Sequence, residues 1–546
     1  MKKTLLLLLA FSGVASAQRY TTEVFSQVTV TPDQRYATNI DFLTSDFSDQ
    51  TQVVADVTAL KTALATGQPI PAAFYNPADP STDVKVTDLN ADVYMPVGDT
   101  VTDRPLAIYI HTGNFLPPGL NGSINGSRKD SAAIVMCEKL AKRGFVAFSV
   151  DYRLGWNPLD PNQFVRRAQL LNAVYRSIHD IKELVRITKY NASVFGIDTN
   201  RIVLFGEGSG GYVALAYATL DKWAEVEIAK FINPATSQSF VDSNLVGNLE
   251  GLGGNLNLYR DNGYSTDVSM CVNMGGALAD ISWLEAGDPS MISIQCVRDP
   301  FAPFGNGTVV VPTTQDDVVD VSGANIFQLK ANSLGNNNAW INNTYNDPIT
   351  LAARARYGVT YPYIFPAPFD TITVANAEGL YPVIRPLAGS LFNNNGSPWQ
   401  WWDPNGPIAS DTLIAGPPVI TYHMAGLASN PNMSPAFGRA YQDTILGYVT
   451  PRLIYQMNLI GTEEFNFNKS ISMYPNPAQH TLSLELMDAD LDLSSYEIMD
   501  NTGRMVSAGS LEGMKNDISI ESLKPGVYFI SVQTNRGSAT SRFIKQ

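Results

Sequence analysis

Apolar residues in this chain fall into short, nearly unbroken runs, separated by stretches with helical spacing. Pro105 to Ile110, Phe145 to Val150, Ile202 to Phe205, Val268 to Met274 and Met291 to Val297 are such runs, and they predict strands buried on both faces. Between them, Ser131 to Arg143 sets Ile134, Val135, Cys137 and Leu140 on one side of a helix, and Val165 to Phe195 reads as a long helical stretch. Thr21 to Ile40 and Val84 to Pro96 read as alternating strands ahead of this series. Pro417 to Tyr422 is expected to be its last strand, and Ala436 to Leu459 its closing amphipathic helix. Strands alternating with helices predict an α/β fold with a doubly wound, mostly parallel sheet covered on both sides. The interval 305–411 is rich in Asn, Pro and aromatics with weak periodicity, so it is expected to be a lid-like insertion. From Ser470 the texture changes to short alternating strands such as Leu482 to Leu486 and Val527 to Val532, the pattern of a small β-sandwich.

Length and charge narrow the classes of function. The 546 residues divide into 1–17, 18–462, a polar linker 463–469, and 470–546. Lys2 and Lys3, the apolar run Leu5 to Phe11, and Ala15-Ser16-Ala17 have the layout of a signal peptide. No later run is long enough to be read as a transmembrane segment. A formal charge of −14 argues against nucleic acid or an anionic membrane as partner. Three scattered cysteines do not make a disulfide framework, and Cys271 and Cys296 read as buried thiols in strands. No metal-binding motif is present, and no metal or cofactor is expected.

The chemistry concentrates between Arg201 and Tyr212. A β-branched run stops at Gly206-Glu207-Gly208-Ser209-Gly210-Gly211, then restarts with helical spacing at Val213. Strand, glycine turn and helix form the context in which a G-x-S-x-G turn lifts one side chain off a sheet edge. Read from the strand, the pattern puts Gly208 at the tip. Shifted by one, it puts Ser209 there, with Glu207 where a glycine should avoid crowding the turn.

With these residues, the interval from about Val84 to Leu459 resembles the carboxylesterase-like branch of the α/β-hydrolases. Ile110-His111-Thr112-Gly113-Asn114-Phe115 matches the family's oxyanion region. Asp151-Tyr152-Arg153-Leu154, the run from Asn200 into the elbow, Gly275-Gly276 to Asp280 and Arg298-Asp299-Pro300 match its other loops. The resemblance implies that Asp299 is the acid orienting a histidine and that His423 is that histidine. It also implies that backbone N–H groups of Gly113 and of the residue after the tip, Ser209 or Gly210, form the oxyanion hole. The family has serine where this chain has Gly208, and glycines where it has Thr112 and Asn114. Besides hydrolysis by water activated at His423 without a side-chain nucleophile, two readings of function stand at this point. One is a non-catalytic or strongly altered ligand-binding protein with a degenerate elbow, which the register favours. The other is a secreted serine-type carboxylic-ester hydrolase using Ser209, His423 and Asp299.

The last residues resemble the type A C-terminal sorting domain of type IX secretion, through Tyr474-Pro475-Asn476-Pro477, Asp500-Asn501-Thr502-Gly503-Arg504, Leu523 to Tyr528 and Ser541 to Lys545. That implies the type IX machinery as partner and a secreted or cell-surface destination across the outer membrane. The remaining partner is a small ester or other small-molecule ligand. Of the four histidines, His111 lies in the oxyanion loop, His179 reads as a surface or packing residue, and His480 belongs to the sorting domain, which leaves His423 as candidate base. Trp399, Trp401 and Trp402 are expected to pack a long loop, and Asp316, Asp317 and Asp320 to lie in a solvated turn.

Overall fold

The computed structural model describes residues 19–311, 314, 316–364, 370–389, 393–459, 471–487, 493–500, 504–534 and 537–546. The signal-peptide segment, the 463–469 linker and Asn501 to Gly503 lie outside the described residues. The chain divides into two units, Met1–Met457 and Asn458–Gln546.

The large unit is built on one eight-stranded sheet. Its strands are β1 (Val28–Asp41), β2 (Lys85–Pro96), β3 (Arg104–Ile110), β4 (Val146–Val150), β5 (Ile197–Glu207), β6 (Met270–Met274), β7 (Ser290–Cys296) and β8 (Leu380–Val383). They run in the order β1-β2-β4-β3-β5-β6-β7-β8. β1, β2 and β4 pair antiparallel, and every pair from β4 to β8 is parallel. The sheet is mostly parallel, as the alternation of strands and helices predicts. Every residue of β3, β4, β6 and β7 is buried, as the unbroken apolar runs require of strands covered on both faces.

The covering helices are α1 (Gln50–Ala65), α2 (Ser131–Lys142), α3 (Gln163–Tyr190), α4 (Ser209–Thr219), α5 (Ala324–Ser333), α6 (Tyr422–Ser429) and α7 (Pro435–Gln456). Their starts are chemically marked. Asn162 caps α3 through the N–H of Phe164, and Ser434 caps α7 through that of Phe437 with Pro435 in the first turn. A buried ion pair fixes α3 to the end of β4: Arg153 Nε lies 2.8 Å from Asp180 Oδ1, and both side chains are fully buried. The Tyr259 hydroxyl donates to the same carboxylate. At the other edge, the guanidinium of Arg452 in α7 pairs with Glu378 just before β8 and stacks 3.6 Å over the ring of Tyr448.

Two expectations are corrected here. The interval 305–411 is not one lid-like insertion. α5 and β8 belong to it and complete a β7-α5-β8 crossover, tied by Ala324 N–H to Gln295 Oε1 (3.0 Å) and Gln328 Nε2 to the Met291 carbonyl (2.8 Å). An Asn- and Gln-containing helix and a four-residue strand interrupted by Pro382 obscure this; proline is tolerated there because β8 is an edge strand. Conversely, Pro417 to Tyr422 is not a strand of the central sheet. Pro417 and Pro418 offer no N–H to a ladder, and only Ile420–Thr421 pairs, with Thr412–Ile414.

In the small unit a three-stranded and a four-stranded antiparallel sheet share a core that includes Leu482, Ile498, Ile530 and Phe543, a β-sandwich. Cys137, Cys271 and Cys296 are free and buried. Replacing fully buried Leu204 at the centre of β5 by alanine is expected to cost about 2–5 kcal/mol in urea unfolding, because it deletes packed methyls. Leu120→Ala, at a side chain 70% exposed, is expected to stay within about 0.5 kcal/mol.

Candidate active site

β5 ends in a sharp turn into α4, and the glycines of this turn are set by close backbone approach. A methyl on Gly206 would overlap the Gly210 carbonyl, and one on Gly210 would overlap the carbonyl of Ile110 at the end of β3. One on Gly211 would come within 2.9 Å of the Gly276 nitrogen after β6. The apex is Gly208, with φ 54° and ψ −117°, outside the range a non-glycine residue adopts without strain. Its N–H donates to the Met274 carbonyl at 2.8 Å. Ser209 opens the helix and does not occupy the apex. The one-residue shift that would put it there is therefore not the register of this turn.

Ser209 faces the loop after β3. Its Oγ accepts the Asn114 N–H at 3.1 Å and lies 3.5 Å from the Tyr152 hydroxyl, which donates to the His111 carbonyl at 2.9 Å. Asn114 and Phe115 both have positive φ, 52° and 58°, and Gly113 has φ 128°. Trp156 Nε1 donates to the Asn114 carbonyl at 2.8 Å and holds this strained loop. His111 stacks on Tyr152 with ring centroids 4.4 Å apart, and burial pushes its pKa down to about 4, so it is neutral. Thr112 leans over the apex: a Cβ built on Gly208 would overlap Thr112 Oγ1 and lie 2.9 Å from Thr112 Cβ. The space where a residue-208 side chain would rise is taken by the threonine. That group escaped the sequence analysis, in which Thr112 figured only as a replaced glycine.

Glu207 points to the opposite side of the turn and is fully buried. It accepts the Tyr109 hydroxyl at 2.7 Å, Trp399 Nε1 at 2.8 Å and Gln400 Nε2 at 2.8 Å. Burial raises its pKa, and the three donors offset part of that shift.

Asp299 follows β7, as its place in the sequence implies. It is 2% exposed, and its Oδ1 accepts the N–H groups of Phe301 (2.8 Å) and Ala302 (3.0 Å). Burial pushes its pKa up to about 7 against those two bonds. The carboxylate is backed by Gly396, where a Cβ would come within 2.8 Å of it. The segment facing Asp299 is thus the one after β8, Asn394-Asn395-Gly396, which contains no histidine. It could be found from sequence only by first recognising Leu380 to Val383 as the last strand.

His423 is elsewhere, in the first turn of α6. Its Nδ1 accepts Trp402 Nε1 at 3.1 Å, and it shares no hydrogen bond with Asp299 or Ser209. His179 is a packing residue, edge-on to Tyr175 at 4.2 Å. His480 lies beside Glu521 in the small unit. Trp399, Trp401 and Trp402 are all buried. Asp316 pairs with Arg166, and Asp320 accepts the Thr308 hydroxyl.

Thr112, Gly208, Ser209 and Asp299 line a cavity of about 670 Å³ at the carboxyl ends of the strands, within the range of about 300–1,000 Å³ usual for small-molecule sites.

Residues 91–252 match the family described as BD-FAE, and residues 472–546 match the secretion system C-terminal sorting domain. The first match is to an esterase family of the α/β-hydrolase type, and the second is to the type IX sorting domain at the C-terminal end. Arylacetamide deacetylase-like 3 of Homo sapiens is 26% identical over 147 residues, 27% of this chain. The chain spans 30% of that relative's length. Among solved structures, the esterase 2 of Thermogutta terrifontis in its propionate-bound form is 18% identical, with a TM-score of 0.26, over 40% of this chain and 70% of that one. The same esterase phosphorylated by paraoxon is 21% identical, with a TM-score of 0.27, over 40% and 69%. The sorting domain directs export across the outer membrane, to the cell surface or beyond. No helix among the described residues is long and apolar enough to cross a membrane.

Two outcomes are expected. Asp299 holds its proton to higher pH when folded than in the unfolded chain, where an aspartate titrates near about 3.9. Its contribution to stability is therefore complete below that value and is lost as pH rises to about 7. Asp299→Asn should remove this slope, at most about 1.4 kcal/mol per pH unit, in urea unfolding at stepped pH. Asp130, also pushed up to about 7, keeps its own slope in both proteins. Secondly, a chain ending at residue 471 should remain in the periplasm of a host with type IX secretion, as read by immunoblotting of cell fractions, while Ser209→Ala is exported.

Proposed function

We propose that this protein is an exported α/β-hydrolase-fold protein that binds a small molecule at the esterase site without hydrolysing it. The observation that carries the reading is Gly208 at the apex with Thr112 over it. Acyl transfer needs a nucleophile on the apex, a base within hydrogen-bond reach of it and an acid behind the base. Here the apex has no side chain, and the carboxylate of Asp299 is met by the backbone of Gly396 instead of an imidazole. Removing the nucleophile of a working serine triad costs about 10⁶ in kcat.

Ser209 and His423 do not substitute for the missing groups. The Ser209 hydroxyl serves the oxyanion loop through Asn114, and His423 serves Trp402. What the scaffold offers is a cavity of binding size with buried Asp299 in its wall. Those features fit recognition, and they do not supply a bond-breaking step.

A fluorophosphonate probe and a p-nitrophenyl ester test this. The parent should be unlabelled, and its ester turnover should equal that of Ser209→Ala within about twofold, both about a millionfold below a working triad. Gly208→Ser with Thr112→Gly should also stay unlabelled for want of a base. Labelling of the parent that disappears in Ser209→Ala would overturn the proposal in favour of a serine hydrolase.

A further inference from the structure

Thr112 brings a hydroxyl oxygen into the volume that a side chain at position 208 would fill, since a Cβ on Gly208 would overlap its Oγ1. The backbone that carries this hydroxyl is firmly held. The Thr112 carbonyl accepts the His111 Nδ1–H at 2.5 Å and lies 3.4 Å from the Tyr152 hydroxyl, and Trp156 ties the carbonyl of Asn114 just beyond it. Two hydroxyls thus stand at the turn, and they differ. The Ser209 oxygen accepts the Asn114 N–H at 3.1 Å, whereas the Thr112 hydroxyl has no hydrogen-bond partner among the described residues. It is not enclosed by protein either: Thr112 is half-buried and lines the cavity, so a molecule in the cavity can reach its oxygen. An open hydroxyl on a fixed loop, in a cavity of ligand size, is one of the few polar groups by which such a site orients what enters it.

The rest of the wall narrows the chemistry of that molecule. Among the described residues that line the cavity, Asp299 is the one carboxylate, and there is no lysine, arginine or histidine. An anionic group would meet no cation there and would share the space with an acid. Part of the wall is hydrocarbon, formed by Val174 of α3, Phe231, Trp283 and Val319. These residues are held together: Phe231 stacks on Trp283 at 5.4 Å, Arg167 of α3 donates to the Lys230 carbonyl, and Lys230 Nζ donates to the carbonyl of Asp320, next to Val319. The polar atom in this group, Trp283 Nε1, is already spent on the Glu225 carbonyl at 2.9 Å.

Resting on the binding reading above, we infer that Thr112 anchors the ligand: an uncharged, largely hydrocarbon molecule whose carbonyl or hydroxyl oxygen hydrogen-bonds the Thr112 hydroxyl at the apex of the turn. A threonine hydroxyl donates to a carbonyl and accepts from a hydroxyl, so either oxygen function is served. The group that fills the place of the missing side chain thereby holds the ligand's oxygen without attacking it, and holding it needs no base.

The test is equilibrium dialysis of the full-length protein with butyrophenone, 1-phenylbutan-1-ol, butylbenzene and 4-phenylbutanoate. The first three share one carbon skeleton and differ in the oxygen. Thr112→Val keeps the shape of the side chain and removes the hydroxyl, and Thr112→Ser keeps the hydroxyl. Thr112→Val should weaken the ketone and the alcohol by about five- to tenfold, the worth of one neutral hydrogen bond, and butylbenzene by less than about twofold. Its thermal midpoint should hold, because no bond within the chain is lost. Thr112→Ser should bind all three within about threefold of the parent. 4-Phenylbutanoate, ionised at neutral pH, should bind the parent at least about tenfold more weakly than butyrophenone. Ketone and alcohol binding unchanged in Thr112→Val would overturn this inference, as would an equal loss for butylbenzene, the mark of a purely structural role. 4-Phenylbutanoate binding as tightly as the ketone, or none of the four binding, would also overturn it. Each of these results leaves the binding reading standing. Fluorophosphonate labelling of the parent that survives in Ser209→Ala and is lost in Thr112→Val would instead make Thr112 a nucleophile and overturn the proposed function itself.

Discussion

The large unit depends on how closely one turn of backbone is allowed to approach its neighbours. Between Gly206 and Gly211 the chain passes from β5 into α4 against the end of β3 and the loop after β6, and carbonyl oxygens occupy the places where side-chain carbons would be. Only glycine permits that approach, and the approach forces the left-handed apex at Gly208. Around this constraint lie buried Glu207, Thr112 over the apex, and the bond from the Asn114 N–H of the loop after β3 to Ser209. A glycine thus stands at the apex of a turn that backbone encloses on several sides.

Several buried polar groups of the large unit find their partners within the chain. Glu207 has three donors, and Asp180 has Arg153 and Tyr259. These buried charges are matched by the chain itself and hold elements together. Asp299, Asn395 and Asn430 form a different set. The first is pushed toward its neutral form, and the other two each keep one atom idle. All three line the same cavity.

Much of the fold could be read from sequence, because strands buried on both faces announce themselves. Pro105 to Ile110 and Met291 to Val297 needed only their apolar runs, and α2 and α7 only their spacing. The last strand was hidden because Leu380 to Val383 is short and carries Pro382, which an edge position excuses. That error spread to the site: with Pro417 to Tyr422 taken for the final strand, His423 stood where a base belongs, whereas the chain that meets Asp299 is Asn394 to Gly396. The idle atoms of Asn395 and Asn430 are not visible in sequence at all, since an asparagine in a loop usually caps its own turn. Whether a side-chain amide has one bond or two depends on neighbours hundreds of positions away or only a few, and sequence spacing does not encode that.

The three bonds to Glu207 carry a consequence for how this region can vary in length. The stretch after Val383 is pinned at one end by pairing with β7 and at the other by Trp399 and Gln400 on a carboxylate buried behind β5. Between two such clamps, added or deleted residues cannot slide the chain past Asp299 without breaking the tryptophan and glutamine ties. Relatives that differ in size here should accommodate the change as bulges early in the span, keeping the tract opposite Asp299 in step with the indole that follows it.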